Sequence, residues 1–372
     1  MTFEFATAQR IVFGCGTSKD LPKLFAGEAE HAFVVTGRHP ERYASITPGD
    51  STLFRVTGEP SFETIRHAVT EARASGCDGV IGIGGGSALD AAKAVAMLLA
   101  NGGDPLDYAE VIGKGKPVSI PSVPCICVPT TSGTGSEATR NAVLTSPEHQ
   151  VKVSLRSPLM LPRIALVDPV LTLGLPRDVA AATGMDALSQ LIEAFVSVRA
   201  NAMTDGLCRE GIRRAARSLR SVYHQPDDLA AREDMALASL FSGIALANAG
   251  LGAVHGLAAP LGSMFGAPHG ALCAILLAPV MRANIAAGDA AKERYREVAA
   301  LLTGRQDARV DDGPTWVADM TKELLIPGLK TYGVTASHLD LIATRGQQAS
   351  SMKGNPAKLS NDVLKEILAA SS

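Results

Sequence analysis

The sequence predicts an α/β domain built on a parallel sheet, residues 1–175, followed by an all-α domain, residues 176–372. Three observations carry this reading. Short β-branched runs alternate with helix-period segments as far as Pro176, which is the grammar of strand–helix–strand units with a helix-covered parallel sheet. Beyond Pro176 the β signal disappears and long amphipathic stretches follow one another. Among them, the 47 residues 235–281 contain no Asp, Glu, Lys or Arg, so this stretch belongs to an interior.

In order along the chain, length and β-branched content predict strands at 32–36, 52–56, 79–83 and 125–129, with helices at 62–75 and 87–100 between them. Residues 141–155 read as two strands around Ser146-Pro147-Glu148-His149, a hairpin appended to the sheet. Residues 166–176, bounded by proline, read as the connector to the second domain. Helices are then expected at 186–198, 204–223, 229–248 and 270–287, and onward to Leu368. Gly256, Pro260, Gly262, Gly266, Pro268 and Gly270 prevent the uncharged stretch from forming one straight helix. His255 and His269 can therefore fold back toward a common point, and a buried imidazole must be hydrogen-bonded or hold something.

Composition narrows the partners. The chain has 372 residues, 46% of them hydrophobic and 19% charged, enough for two domains and a large core. With 35 Lys and Arg against 37 Asp and Glu, no net field favours nucleic acid or an anionic membrane. Six cysteines lie scattered with no C-x-x-C pair, the pattern of unreactive buried thiols in a reducing compartment. No uninterrupted apolar run reaches the roughly 18 residues of a membrane span, and residues 1–14 lack a signal-peptide pattern, so the expectation is a cytoplasmic protein.

Two loops carry phosphate-binding chemistry. Gly84, Gly85 and Gly86 separate a buried strand from a helix whose first turn holds Ser87, the expected N-cap, with Asp90 one turn on. Glycines admit a diphosphate close to the backbone, and the helix N-terminus offers N–H groups and a positive dipole end. The pattern is not G-x-G-x-x-G. A second loop, 129–137, supplies Thr130, Thr131 and Thr134 for ribose, phosphate and amide contacts. At the end of the 32–36 strand, Gly37 and Arg38 stand where an acidic residue would select against a 2′-phosphate, so NADP is expected to be accepted.

Taken together, G-G-G-S-A-L-D-A-A-K at 84–93, P-T-T-S-G-T-G-S-E at 129–137, the 166–176 connector, G-M-D-A-L at 184–188 and the two histidine motifs resemble the iron-containing (group III) alcohol dehydrogenases. The resemblance runs from Arg10 onward. It implies NAD(P)-dependent interconversion of alcohols with aldehydes or ketones in an interdomain cleft, a small-molecule substrate and a homo-oligomer, expected to be a dimer. It also implies cofactor contacts at Gly37, Arg38, Gly84, Gly85, Gly86, Ser87, Asp90, Thr130, Thr131, Thr134, Lys152 and Leu171. The family holds one divalent metal ion, iron or zinc, through an Asp, a His four residues later and two His fourteen residues apart. Asp186, His255 and His269 match those positions, but Gln190 stands where the second ligand belongs. One helical turn separates Gln190 from Asp186, so its amide oxygen is a candidate fourth ligand. Ala259 likewise replaces a histidine that many members carry, and no catalytic residue beyond the metal site is assigned. Losing an imidazole disfavours iron(II) more than zinc. Three rival readings follow from these departures: a metal-independent reductase resembling maleylacetate reductase, a lyase of the dehydroquinate synthase type, and a non-catalytic dinucleotide-binding protein.

Overall fold

The computed structural model describes residues 2–149 and 151–372, so Met1, at the start of the leader reading, and Gln150, in the predicted hairpin, lie outside the described residues. Two compact units compose the protein: an α/β unit of Ala6–Thr131 and Gly135–Thr172, and a helical unit of Leu173–Ser372 that also takes in Ser132–Thr134 and the N-terminal residues through Phe5.

The α/β unit contains β1 (Arg10–Phe13), α1 (Leu21–Ala26), β2 (Ala32–Thr36), β3 (Ser51–Arg55), α2 (Phe62–Ala74), β4 (Gly79–Gly84), α3 (Gly86–Asn101), α4 (Pro105–Tyr108), β5 (Cys125–Pro129), β6 (Asn141–Ser146), β7 (Val151–Arg156) and β8 (Ile164–Val167). Six strands form a parallel sheet in the order β1-β8-β5-β4-β2-β3, and β6 pairs with β7 as the expected antiparallel hairpin. Both faces are buried: Phe33 and Val35 pack beneath α2 and α3, while Val34, Ile81, Ile83 and Ile126 meet Leu21 and Phe25 of α1. The chain runs outward from β2 to β3 and returns on the other side of β2 to β4. That reversal falls at the carboxyl ends of β2 and β4, the position where open α/β sheets bind ligands.

Two strands, β1 and β8, escape sequence reading because each is only four residues long. The connector consequently starts later than expected: Leu166 and Val167 belong to β8, and Asp168 begins the turn. Its carboxylate accepts from the backbone N–H groups of Gly16, Ser18 and Val170 and from the Ser18 hydroxyl, tying the corner after β1 to the end of β8.

The helical unit holds α5 (Arg177–Val196), α6 (Ala202–His224), α7 (Leu229–Ala249), α8 (Ala253–Phe265), α9 (His269–Ala287), α10 (Asp289–Thr303), α11 (Asp312–Glu323), α12 (Leu339–Gln348) and α13 (Asn361–Ala370) around one core. The uncharged stretch is three helices, with α7 and α8 bent by 102° at Gly250–Gly252. Helix α5 starts nine residues before the expected Asp186, so its Asp186 and Gly184 are interior positions. Gly184 serves close packing: a Cβ there would lie 2.5 Å from Leu219 Cδ1 of α6. By length and composition α5 and α9 could each cross a membrane, which the search for uninterrupted runs did not anticipate, but 83% and 72% of their apolar windows are buried within the protein.

Candidate functional site

At the sheet's reversal the backbone dominates. Gly84 lies at the end of β4 with φ 158°, where a Cβ would stand 2.7 Å from Ala88 Cβ and 3.6 Å from the Gly37 nitrogen, so the loops after β2 and β4 meet here. Thr130 N donates to Gly84 O at 2.9 Å, aligning the hydroxyl loop beside the glycine turn. The N-cap of α3 is Gly85 rather than Ser87: Ala88 and Leu89 donate to Gly85 O, placing Ser87 inside the first turn. No side-chain cap bonds the start of this helix, which leaves its first N–H groups and positive dipole end available to an anion. Arg38 is exposed beyond Gly37.

Several residues with expected cofactor roles also have protein partners. Asp90 accepts from Ser136 Oγ, from Val143 N at 3.0 Å and from Lys93 Nζ at 3.1 Å. Lys93 is fully buried and donates to Ser136 O, Thr139 Oγ1 and Asn141 O, fixing the exit of the hydroxyl loop. Lys152 pairs with Glu59 at 2.5 Å, and Leu171 packs against the sheet core. Thr134 belongs to the helical unit, whereas Thr130 and Thr131 belong to the α/β unit.

The helical unit gathers side chains. Asp186, Gln190 and Glu193 recur at one-turn spacing on the buried face of α5. Glu193 does two things. Its Oε1 accepts from Val254 N at 2.7 Å, capping α8 together with Asn355 Oδ1 on Ala253 N, and its Oε2 accepts from His255 Nδ1 at 2.5 Å. A Cβ on Gly252 would lie 2.9 Å from Glu193 Oε1, so the cap needs glycine at that position. With Nδ1 held, His255 turns Nε2 toward Asp186 Oδ1 at 3.3 Å. His269 opens α9 with Nε2 at 3.8 Å from the same oxygen, and α9 starts hard against α5, since a Cβ on Gly270 would meet Ala182 O at 2.2 Å.

A fourth donor completes the group. Cys273, one turn after His269 on α9, places Sγ 3.7 Å from His255 Nε2 and 3.6 Å from His269 Nε2. The ligand atoms of Asp186, His255, His269 and Cys273 all lie within 4.8 Å of one another. Sequence reading passed over this cysteine because it lacks a C-x-x-C partner; the available signal was its four-residue step from His269. Gln190, the candidate fourth ligand, has partners of its own. Its amide oxygen accepts from Ser242 Oγ at 2.8 Å, and its hydrogen bond to Asp186 helps hold that carboxyl below its usual range.

Electrostatics follow from this geometry. Burial opposes ionisation of Asp186, but the His255 hydrogen bond and the neighbouring His269 outweigh it and keep the carboxylate charged. Burial likewise opposes a charged His255, yet Cys273, Glu193 and Asp186 raise its pKa well above the ordinary imidazole value. Cys273 and then Asp186 raise His269 against its own desolvation. Both imidazoles therefore take up a proton more readily than an ordinary histidine. A divalent ion would displace those protons, and a carboxylate, two imidazoles and a thiol make a donor set that suits one.

The α/β unit thus carries a glycine turn at a helix N-terminus, and the helical unit carries a carboxylate–histidine cluster. The chain belongs to the iron-containing alcohol dehydrogenase family: a profile described as iron-containing alcohol dehydrogenase matches residues 8–169, and one for the C-terminal part of the Fe-containing alcohol dehydrogenase family matches 180–372. It is 35% identical to a 1,3-propanediol dehydrogenase of Klebsiella pneumoniae over 311 residues, covering 82% of this chain and 78% of that one. A sulfoacetaldehyde reductase of Bilophila wadsworthia is 32% identical over 390 residues, covering 100% and 99%. Among solved structures, an alcohol dehydrogenase from Oenococcus oeni superposes with TM-score 0.92 at 30% identity, with full coverage of both chains. This protein is therefore an alcohol dehydrogenase, acting on a small-molecule alcohol or aldehyde.

Proposed function

We propose that the protein interconverts an alcohol with an aldehyde or ketone by metal-assisted, NAD(P)-dependent hydride transfer, with Asp186, His255 and His269 holding one divalent ion, iron or zinc. The convergence of these three side chains in the helical unit carries the reading. When bound, the ion supplies Lewis acidity toward the reacting oxygen and the dinucleotide supplies the hydride acceptor. The chain's own residues do the remaining work. Asp186 contributes the negative charge of the site. Glu193 fixes the proton on His255 Nδ1 so that Nε2 is the face offered. Gln190 steadies Asp186, and the 235–281 stretch supplies surroundings free of charged side chains other than its own histidines.

For the cofactor we propose diphosphate contacts at Gly84–Ser87, ribose and amide contacts at Thr130, Thr131 and Thr134, and acceptance of a 2′-phosphate beside Gly37 and Arg38. Lys152, Asp90 and Leu171 support this surface from their protein partners. We read the chain as a cytoplasmic homodimer without nucleic-acid or membrane partners, consistent with its near-neutral charge.

The deciding experiment assays purified protein with NADH and NADPH against 1,3-propanediol, 4-hydroxybutyrate, sulfoacetaldehyde and simple aldehydes, before and after EDTA and after zinc or iron(II) is restored. Activity lost to EDTA and regained with metal is expected. Full activity in a metal-free preparation would favour a metal-independent reductase, and no turnover under any condition would leave only a dinucleotide-binding protein. NADH outperforming NADPH a hundredfold would refute the reading of Arg38.

A further inference from the structure

We infer that Cys273 is the fourth protein ligand of the metal centre, making it an Asp–His–His–Cys site in which Gln190 is a positioning residue; the inference rests on the metal reading above. Donor spacing carries the argument. Zinc–nitrogen and zinc–oxygen bonds of about 2.0–2.1 Å at tetrahedral angles separate their donors by roughly 3.4 Å, and a zinc–sulfur bond of about 2.3 Å gives a sulfur–nitrogen spacing of roughly 3.6 Å. The structure has Asp186 Oδ1 at 3.3 and 3.8 Å from the two imidazole nitrogens, and Cys273 Sγ at 3.7 and 3.6 Å from the same two. These four spacings match a shared cation, with sulfur at the sulfur distance, and all four donors lie within 4.8 Å of one another.

Gln190 is engaged elsewhere. Its oxygen accepts from Ser242, and its side chain hydrogen-bonds Asp186. The helix register explains how the exchange works: loss of a ligand one turn after Asp186 on α5 is met by a ligand one turn after His269 on α9. Binding releases the thiol proton and leaves sulfur as thiolate, with no change in oxidation state. Thiolate for imidazole moves the preference from iron(II) toward zinc.

The test removes the native metal with a chelator and reloads the full-length protein with cobalt(II), reading stoichiometry by elemental analysis and the ligand set by absorption. One cobalt per chain with a near-ultraviolet thiolate-to-cobalt charge-transfer band is expected. Cys273→Ser should abolish the band and weaken cobalt binding at least ~tenfold, the lower end of what even outer-sphere partners contribute. Gln190→Ala should keep the band. Stoichiometric cobalt without a band overturns the Cys273 assignment while the three-residue metal reading survives. A chain that binds no cobalt overturns both. A band that persists in Cys273→Ser, or vanishes in Gln190→Ala, also overturns the assignment. If Cys273→Ser does not fold, the spectra of the unaltered chain and of Gln190→Ala decide between these outcomes.

Discussion

Two carboxylates, one in each unit, are buried to the same 2% exposure and titrate in opposite directions. Burial pushes Glu137, in the hydroxyl loop of the α/β unit, up to about 7, with only a backbone N–H and the charge of Lys93 opposing it. Asp186 meets the same desolvation, yet two imidazoles and the Gln190 amide hold it below its usual range. Burial alone therefore makes a carboxyl neutral, whereas surrounding donors make it an anion poised for a cation. The contrast extends to the whole molecule. The α/β unit works through backbone, at glycines and an uncapped helix, and uses Asp90 and Lys93 as struts. The candidate site of the helical unit is assembled from side chains on three helices.

The largest effect should come from neutralising the anion. Asp186→Asn keeps shape and hydrogen bonding but removes the charge, so metal content and turnover should each fall at least ~100-fold, the upper end of outer-sphere effects. Elemental analysis and kcat measured on one preparation check this. Glu137→Gln should leave metal content unchanged, and losing the metal in both variants would erase the distinction between the two carboxylates.

Glu137 makes its own prediction for stability. Its folded pKa of about 7 lies above the ordinary glutamate value of 4.5, so between these pH values the native state holds a proton that the unfolded chain has released. Stability therefore declines as pH rises from 4.5 to 7, and above 7 the full cost persists, on the order of 3 kcal/mol for this shift. Glu137→Gln removes the ionisable group. The variant should match the parent near pH 4.5 and exceed it at pH 8, read by denaturant unfolding at both. Equal stability at pH 8 would mean that Glu137 is solvated or paired as an ordinary carboxylate.

Glu193→Gln sharpens the helical side. An amide oxygen can still cap α8 at Val254, but a neutral partner holds the His255 Nδ1 proton less firmly. Metal affinity should drop about 10- to 100-fold while unfolding stability changes by only about 1 kcal/mol. A stability loss of several kcal/mol with unchanged affinity would make Glu193 a structural cap and nothing more.

How much of this the sequence could disclose depended on which atoms carry the function. The glycine turn was legible because a backbone site writes itself as missing side chains: Gly84, Gly85 and Gly86 between a strand and a helix. Asp186, His255 and His269 were legible only through resemblance, since nothing local says that residues 69 and 83 positions later return to one point. Cys273 is hidden because its meaning depends on α9 starting at His269, and the packing role of Gly184 is hidden because it depends on Leu219 of another helix. Glu193 reads as one more charge on a helix until α8 arrives above it. Strands β1 and β8 were missed for want of length, although β8 is buried throughout.

The smallest predicted effect tests whether the glycines of the α/β unit bind a ligand or merely permit packing. Gly82 is a packing glycine: a Cβ there would lie 2.8 Å from Ala92 Cβ of α3, so Gly82→Ala should destabilise by about 1–3 kcal/mol. Gly85 is different. Its φ of −75° suits any residue, and a Cβ would sit 3.4 Å from Thr131, close but within reach of a small shift in that side chain. Gly85→Ala should therefore unfold close to the parent, yet intrude on the space that a diphosphate would take beside the first turn of α3. The expected result is a several-fold to ~tenfold rise in KM for the dinucleotide, worth about 1.4 kcal/mol at tenfold, with kcat little changed. An unchanged KM would show that the diphosphate does not approach Gly85. A large loss of stability would show that the turn is as tightly packed as the strand behind it.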